Sequence, residues 1–433
     1  MRKGFKTFIL ALALVLIGAF TAQAVNLEVH GQFGNKIQTT NSTGLITGKT
    51  AADQLNNKDL DDTWGELQFR LWTVASSDDG NVKGVWAMEV GTATYGDSTL
   101  GFATNATEIE NRMMYVDFQL PWFASSNRLA VGLQWVTVNP WLWDETAAGI
   151  RNYGSFDLGG TAFAYQIGWM RDDDNSEVRK NDVATPATGN NNDSDYWFAR
   201  VDFAPKGLPV ENLNVGLFAV YNMDATVDQN VWSLGIDGGF AVSGVDVGLN
   251  LIYQTGDDDA NNKDISAWFF EGSLGYKVTE QMKVAFEFWY ASGDDNPNDG
   301  DIENYQAIEM HTMGSVVLFE DATFDDGSYV SRNPYLNSLG FIMYRLRADY
   351  QATPKLALCA AVNYMQYAED ASNGEDTLGW EIDFYADYEL YKGLKLNLAA
   401  GYLFADDALD AYGTSPADAD DMYRVSAGVT FEF

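Results

Sequence analysis

The sequence closes on Tyr423-Arg424-Val425-Ser426-Ala427-Gly428-Val429-Thr430-Phe431-Glu432-Phe433. Tyr423, Val425, Ala427, Val429, Phe431 and Phe433 fall on one side of an extended strand, and Met422, Arg424, Ser426, Gly428, Thr430 and Glu432 on the other. Successive side chains of a strand point to opposite faces, so one face of this segment suits an apolar medium and the other suits water. Moving back along the chain, the same period recurs. Leu394, Leu396, Leu398, Ala400 and Tyr402 oppose Lys395, Asn397 and Gly401, while Trp380, Ile382, Phe384, Ala386, Tyr388 and Leu390 oppose Glu381, Asp383, Tyr385, Asp387 and Glu389. Ile342, Tyr344, Leu346, Ala348 and Tyr350 oppose Arg345, Arg347, Asp349 and Gln351. Further runs lie at 283–290, 245–254 and 66–71. Each segment is about 10 residues, the length of a tilted strand that crosses a bilayer. Strands of a soluble sandwich are nearer 5–6 residues. Tyr, Phe and Trp gather near the segment ends, as interfacial girdles require.

The connections alternate in length. Short turns lie at Ser77–Asn81, Pro121–Asn127, Asp157–Gly160, Pro205–Asn212, Ser243–Gly244, Thr279–Gln281, Thr353–Lys355 and Lys392–Gly393. Longer polar links separate them, at 39–62, 95–109, 139–146, 172–194, 224–229, 256–264, 293–338, 368–377 and 406–419. Such alternation is the signature of an all-β, antiparallel, up-and-down transmembrane barrel, with tight periplasmic turns and larger external loops. Eighteen strands fit between these links. Ala147–Phe156 also reads as loop and the strand near Val25–Ile37 is irregular, which leaves sixteen as the lower count.

Composition narrows the rest. One cysteine in 433 residues excludes an internal disulfide and any multi-cysteine metal site. The balance of 62 acids to 26 bases, a net charge of −36, argues against nucleic acid, whose phosphates need clustered Lys and Arg. Aromatic residues make up 14%, which argues against simple disorder. Arg2, Lys3 and Lys6 precede an apolar run from Phe8 to Phe20, and Ala22-Gln23-Ala24 is an A-x-A site. Residues 1–24 are therefore expected to be a signal peptide cleaved after Ala24, with export by the general secretory pathway. Residues 25–433 are expected to form a single barrel domain, and losing three cations takes its charge to −39.

A cleaved leader, repeated amphipathic hairpins and the aromatic closing strand 423–433 resemble a bacterial outer-membrane porin, most closely the homotrimeric general-diffusion type. The resemblance implies residence in the outer membrane of a Gram-negative-type bacterium, in contact with lipid and lipopolysaccharide. It also implies a homotrimer, and recognition of Tyr423, Phe431 and Phe433 by the barrel-assembly machinery. A local resemblance is carried by Ala291-Ser292-Gly293-Asp294-Asp295-Asn296-Pro297-Asn298-Asp299-Gly300, which is similar to a strand end and loop of alginate-export-type barrels. Those barrels have 18 strands, are monomeric and serve a polyanion; the acidity of this chain departs from that pattern.

The nine long links hold 38 acids and 6 bases, so most of the negative charge belongs to the external mouth, where it would draw cations. Parity places Arg70, Arg112, Arg200, Arg345, Arg347 and Arg424 on the lumen face, with Glu66, Asp117, Glu287, Glu381, Asp383 and Asp387 as their acidic counterparts. Such groups either form a transverse field at a constriction or pair with neighbours to keep the lumen wet. The 46-residue link 293–338 is too long to be idle. It folds either inward to narrow the pore or outward as a cap or trimer contact. Acidic runs at Asp172–Asp174, Asp257–Asp259 and Asp294–Asp301 offer oxygen ligands to Ca²⁺ or Mg²⁺, or are solvated loop, and none has EF-hand spacing. No resident cofactor is expected.

His30 and His311 are the only imidazoles, and no Gly-x-Ser-x-Gly surrounds a serine, so an enzyme is not expected. Cys359, between Ala357 and Ala361, reads as lumen-side filler. The expected function is a passive, water-filled, cation-preferring channel for small hydrophilic solutes. The alternatives are a substrate-specific channel for a sugar or organic acid, and a plugged structural barrel.

Overall fold

The computed structural model describes residues 25–41, 62–96, 109–122, 126–173, 193–225, 227–310, 313–319, 321, 338–411 and 419–433. The leader 1–24, His311 and the greater part of 320–337 lie outside the described residues, as does Asp174. Long antiparallel strands follow one another in chain order. They are β1 (Val25–Thr40), β2 (Asp62–Ser77), β3 (Val82–Thr94), β4 (Ile109–Gln119), β5 (Arg128–Asn139), β6 (Trp143–Leu158), β7 (Thr161–Asp173), β8 (Ser194–Ala204) and β9 (Glu211–Asp224). Next come β10 (Gln229–Val242), β11 (Val245–Asp258), β12 (Lys263–Lys277) and β13 (Met282–Ala291). A two-residue piece, β14 (Asp301–Ile302), precedes β15 (Phe341–Thr353), β16 (Leu356–Gln366), β17 (Thr377–Tyr391), β18 (Leu394–Ala405) and β19 (Met422–Glu432).

Each long strand pairs with the next, β13 pairs with β15, and β19 returns to pair with β1. The sheet is thus a closed barrel of eighteen strands, with β14 lying parallel beside β12. The higher strand count is the observed one. β1 is continuous, paired with β2 from Val25↔Ser77 to Thr40↔Asp62, and β6 is a full strand held between β5 and β7. Their own alternation is weak; pairing with neighbours distant in sequence fixes them. No helix among the described residues is long and apolar enough to cross a membrane.

The outer face carries exposed large apolar side chains, such as Leu346 at 61%, Ile382 at 50% and Leu234 at 45%, as a lipid-facing surface must. Aromatic rings run side by side across neighbouring strands near the long-loop end. Phe288, Tyr344, Tyr364 and Trp380 stand 5.0, 6.2 and 4.8 Å apart between successive centroids. The lumen departs from a uniformly polar wall. Towards the long loops its inner face is apolar: Phe198, Phe218, Ile252, Phe269, Met343, Met365 and Leu403 are buried and pack with residues of the 293–338 link.

The barrel seam is closed by the last residue. Gly31 N–H donates to the Phe433 carbonyl oxygen at 3.1 Å, and Phe433 N–H donates back to Gly31 O at 3.0 Å. A Cβ at Gly31 would stand 2.3 Å from the Phe433 ring, so the absence of a side chain at Gly31 lets the ring lie over it. That ring also stacks near Phe33 and Phe431, at 6.1 and 5.8 Å. Deleting Phe433 is expected to reduce strongly the yield of heat-modifiable, folded barrel; a normal yield would contradict this role.

Candidate functional site

After β13 the chain turns into the barrel rather than away from it. Tyr305 O–H donates to Trp141 O at 2.8 Å, and the N–H groups of Ile308 and Glu309 donate to Leu142 O at 2.8 and 3.1 Å. The side-chain amide of Gln254, on the lumen face of β11, holds the backbone of Gln306 at both its N–H and its C=O, at 2.8 and 2.6 Å. The short link after β5 meets this segment inside the lumen, with Leu142 and Trp143 buried.

Deeper in, residues 313–319 and Asp321 form a strap seated on the inner wall at β16, β17 and β18. Ser315 Oγ accepts from Leu318 N–H at 3.0 Å, which curls Gly314–Phe319 into a compact turn. Strand register explains where it sits. Glu287, Arg345, Asn363 and Glu381 are register partners across β13, β15, β16 and β17. Arg347, Ala361, Asp383, Gly401 and Arg424 form the next row, from β15 to β19. Ala361 and Gly401 leave a dent in the second row. A Cβ at Gly401 would stand 2.7 Å from Val316 Cβ, so the absence of a side chain there lets the strap approach.

Four carboxylate oxygens meet four donors at the contact. Glu381 Oε2 accepts from Ser315 O–H and Glu381 Oε1 from Val317 N–H, both at 2.8 Å. Asp383 Oδ1 accepts from Val316 N–H at 3.3 Å and Asp383 Oδ2 from the Asn363 amide at 2.7 Å. Asn363 also donates to Gly314 O at 3.2 Å, and Tyr385 O–H donates to Asp321 at 3.0 Å. Glu381, Asp383 and Tyr385 are alternate residues of β17, so one strand face grips the strap three times. A buried hydrogen bond contributes about 0.5–1.5 kcal/mol net, so several converging on one short segment fix its position on the wall. Val316, Val317, Leu318 and Phe319 are all buried.

The remaining wall charges pair with neighbours. Arg70 and Arg112 both reach Glu89, at 2.7 and 2.8 Å, and Lys36 reaches Glu66 at 3.0 Å. Arg128 pairs with Asp117 at 2.5 Å, and Arg200 with Asp202 and Asp237, each at 2.5 Å. Arg347 grips Asp349 at 2.8 Å, Arg345 approaches Glu287 at 3.4 Å, and Arg424 is buried in the wall. Of the twelve charged lumen candidates, eight stand in ion pairs along the wall, Glu381 and Asp383 hold the strap, Asp387 accepts from the Asn397 amide at 2.6 Å, and Arg424 is buried. Below the strap a cavity of about 580 Å³ is lined by Arg345, Arg347, Asp349, Cys359, Tyr385 and Asp321. A second recess shares Asp321, Tyr385 and Asp387 and extends to Lys395 and Glu432. Sequence reasoning missed Lys36, Glu89, Arg128, Asp237, Ser315, Asn363 and Asp321. Parity alone could have found the wall residues among them, but not the two strap residues.

At the long-loop end, burial and the neighbouring Asp295 and Asp294 push the Glu303 carboxyl up, and burial with Asp295 and Glu303 does the same to Glu369. Among the described residues no group of three or more His, Cys, Asp or Glu side chains is arranged to hold a metal ion. His30 lies 3.7 Å from Glu28 and stacks on Trp72 on the lumen face.

The Alginate export family matches residues 159–308, 150 of the 433. No curated protein matches the sequence. Solved structures do match the whole barrel. The outer membrane protein OpdK of Pseudomonas aeruginosa is 13% identical, covers 94% of this chain and 98% of its own, and superposes with a TM-score of 0.57. OccK9 (OpdG) of the same organism is 14% identical over 94% and 98%, with a TM-score of 0.57. OccAB4 of Acinetobacter baumannii is 12% identical over 95% and 100%, at 0.55. None of the three is described as an enzyme. The fold is that of the outer-membrane barrels.

Asn363→Ala would leave Gly314 O and one Asp383 oxygen without a donor. It is expected to cost about 1–3 kcal/mol of folded stability, read by urea unfolding in vesicles through tryptophan fluorescence. An unchanged midpoint would contradict the contact.

Proposed function

We propose that this chain is an outer-membrane channel for small hydrophilic solutes and ions, not an enzyme, and that it prefers cations. The observation that carries this reading is the closed eighteen-stranded wall around a charged, recessed vestibule that reaches the underside of the strap. A purely structural barrel has no need of a charged recess. The apolar filling of the upper lumen supports a narrow, selective conduit over a wide diffusion pore. Cation preference is supported by the acidic mouth, whose negative field concentrates cations. Secretion through a leader, assembly through the terminal strand, contact with lipopolysaccharide and a homotrimeric state belong to the same proposal.

A second reading, a conduit for small organic acids, is favoured by Arg345 and Arg347 beside the cavity. OpdK has been solved with vanillate, a carboxylate, and superposes here at a TM-score of 0.56. The reversal potential in a planar bilayer under a KCl gradient separates the two; a sign showing anion preference would overturn the cation reading. Arg347→Ala removes the partner of Asp349 and is expected to raise the K⁺/Cl⁻ permeability ratio, whereas an unchanged ratio would remove Arg347 from the ion path. Lowering the pH from neutral towards about 4–5, the ordinary carboxylate range, should weaken cation preference. Glu303 and Glu369, whose carboxyls burial and neighbouring acids hold above their ordinary value, take up protons early in this window and lose negative charge. A preference independent of pH over this window would contradict the role of the mouth.

A further inference from the structure

The strap is attached to the barrel differently from the segment before it. Tyr305, Ile308 and Glu309 make backbone–backbone hydrogen bonds to Ser292 and Leu142. Among the described residues of the strap, the backbone–backbone bonds run only within it, from Ser315 N–H to Met313 O and from Asp321 N–H to Ser315 O. Its hold on the wall is made by wall side chains, with Glu381, Asp383 and Asn363 above and Tyr385 on Asp321 below, and by the burial of Val316, Val317, Leu318 and Phe319.

We propose that residues 313–319 with Asp321 form a releasable strap, which closes the lumen when seated on β17 and opens it when lifted. The inference deepens the channel reading and rests on it. Lifting breaks no strand pairing, so the barrel remains intact in both states. The vestibule already reaches Tyr385 and Asp321 at the lower end of the contact, so water has access to that end first. As each donor leaves, water can replace it on the carboxyl groups, while exposure of Val316, Val317, Leu318 and Phe319 opposes release and makes the seated state the favoured one. The dent at Ala361 and Gly401 fits one seated position, giving two discrete arrangements rather than a continuum.

The test uses the full-length chain carrying Cys359→Ser. Val316→Cys with Gly401→Cys places two thiols where the separation at Cβ, 2.7 Å, needs only a small retreat to reach the disulfide value of about 3.8 Å. Reduced protein in a planar bilayer is expected to show a low and a high conductance level. Oxidation should abolish the high level, and reductant should restore it. A second readout needs no current. Val316→Cys alone, buried in the seated strap, is expected to react slowly with a water-soluble maleimide. It should react faster when combined with Glu381→Ala, or with Gly401→Leu, whose side chain would crowd both Val316 and Asp383 and wedge the strap out. Equal labelling rates in all three, or conductance levels unaffected by oxidation, would overturn the strap. Labelling that accelerates while no variant passes current would keep the strap's release and overturn the channel.

Discussion

Lipid offers no hydrogen-bond partner, so every backbone N–H and C=O at membrane depth must be satisfied within the protein. This chain meets that constraint by closing on itself: β1 pairs along its length with β2 and along its second half with β19. Closure leaves no sheet edge. It also fixes strand register around the ring, and register decides which side chains share a row on the lumen wall. The rows Glu287–Arg345–Asn363–Glu381 and Arg347–Ala361–Asp383–Gly401–Arg424 exist because the seam closes where it does.

The lumen follows from those rows. A charged wall is costly unless its members are paired, and here neighbours on adjacent strands pair with one another. Where two acids, Glu381 and Asp383, adjoin a dent made by Ala361 and Gly401, the wall presents acceptors and space together. The strap supplies the matching hydroxyl and amide donors. The other contribution is apolar: the inner faces of β8, β12, β15 and β16 bury Phe198, Phe269, Met343 and Met365 against the incoming link.

Much of the barrel was legible in the sequence, because period-two alternation and alternating link lengths are local signals. The turn at Ser243–Gly244 and the strand at 422–432 needed nothing more. The lumen's interior was less legible. Tyr196-Trp197-Phe198 and Trp268-Phe269-Phe270 break the alternation, and such breaks mark strands apolar on both faces; they went unread because each looks like a girdle aromatic. Glu381 and Asp383 were placed on the lumen face by parity. Their partner, Ser315, lies some 66 residues away in a link with no periodicity, so no local pattern could join them. β6 was doubtful for a similar reason, since its identity as a strand comes from β5 and β7.

The central claim is that the barrel conducts small hydrophilic solutes through a passage narrowed at the strap. Osmotic swelling of liposomes containing the purified protein, challenged with sugars of increasing size, tests it most directly. The account predicts swelling with the smallest sugars, falling steeply with size, and a cutoff that moves upward when residues 313–319 are deleted. Absence of swelling with any sugar, or a cutoff unchanged by that deletion, would contradict it.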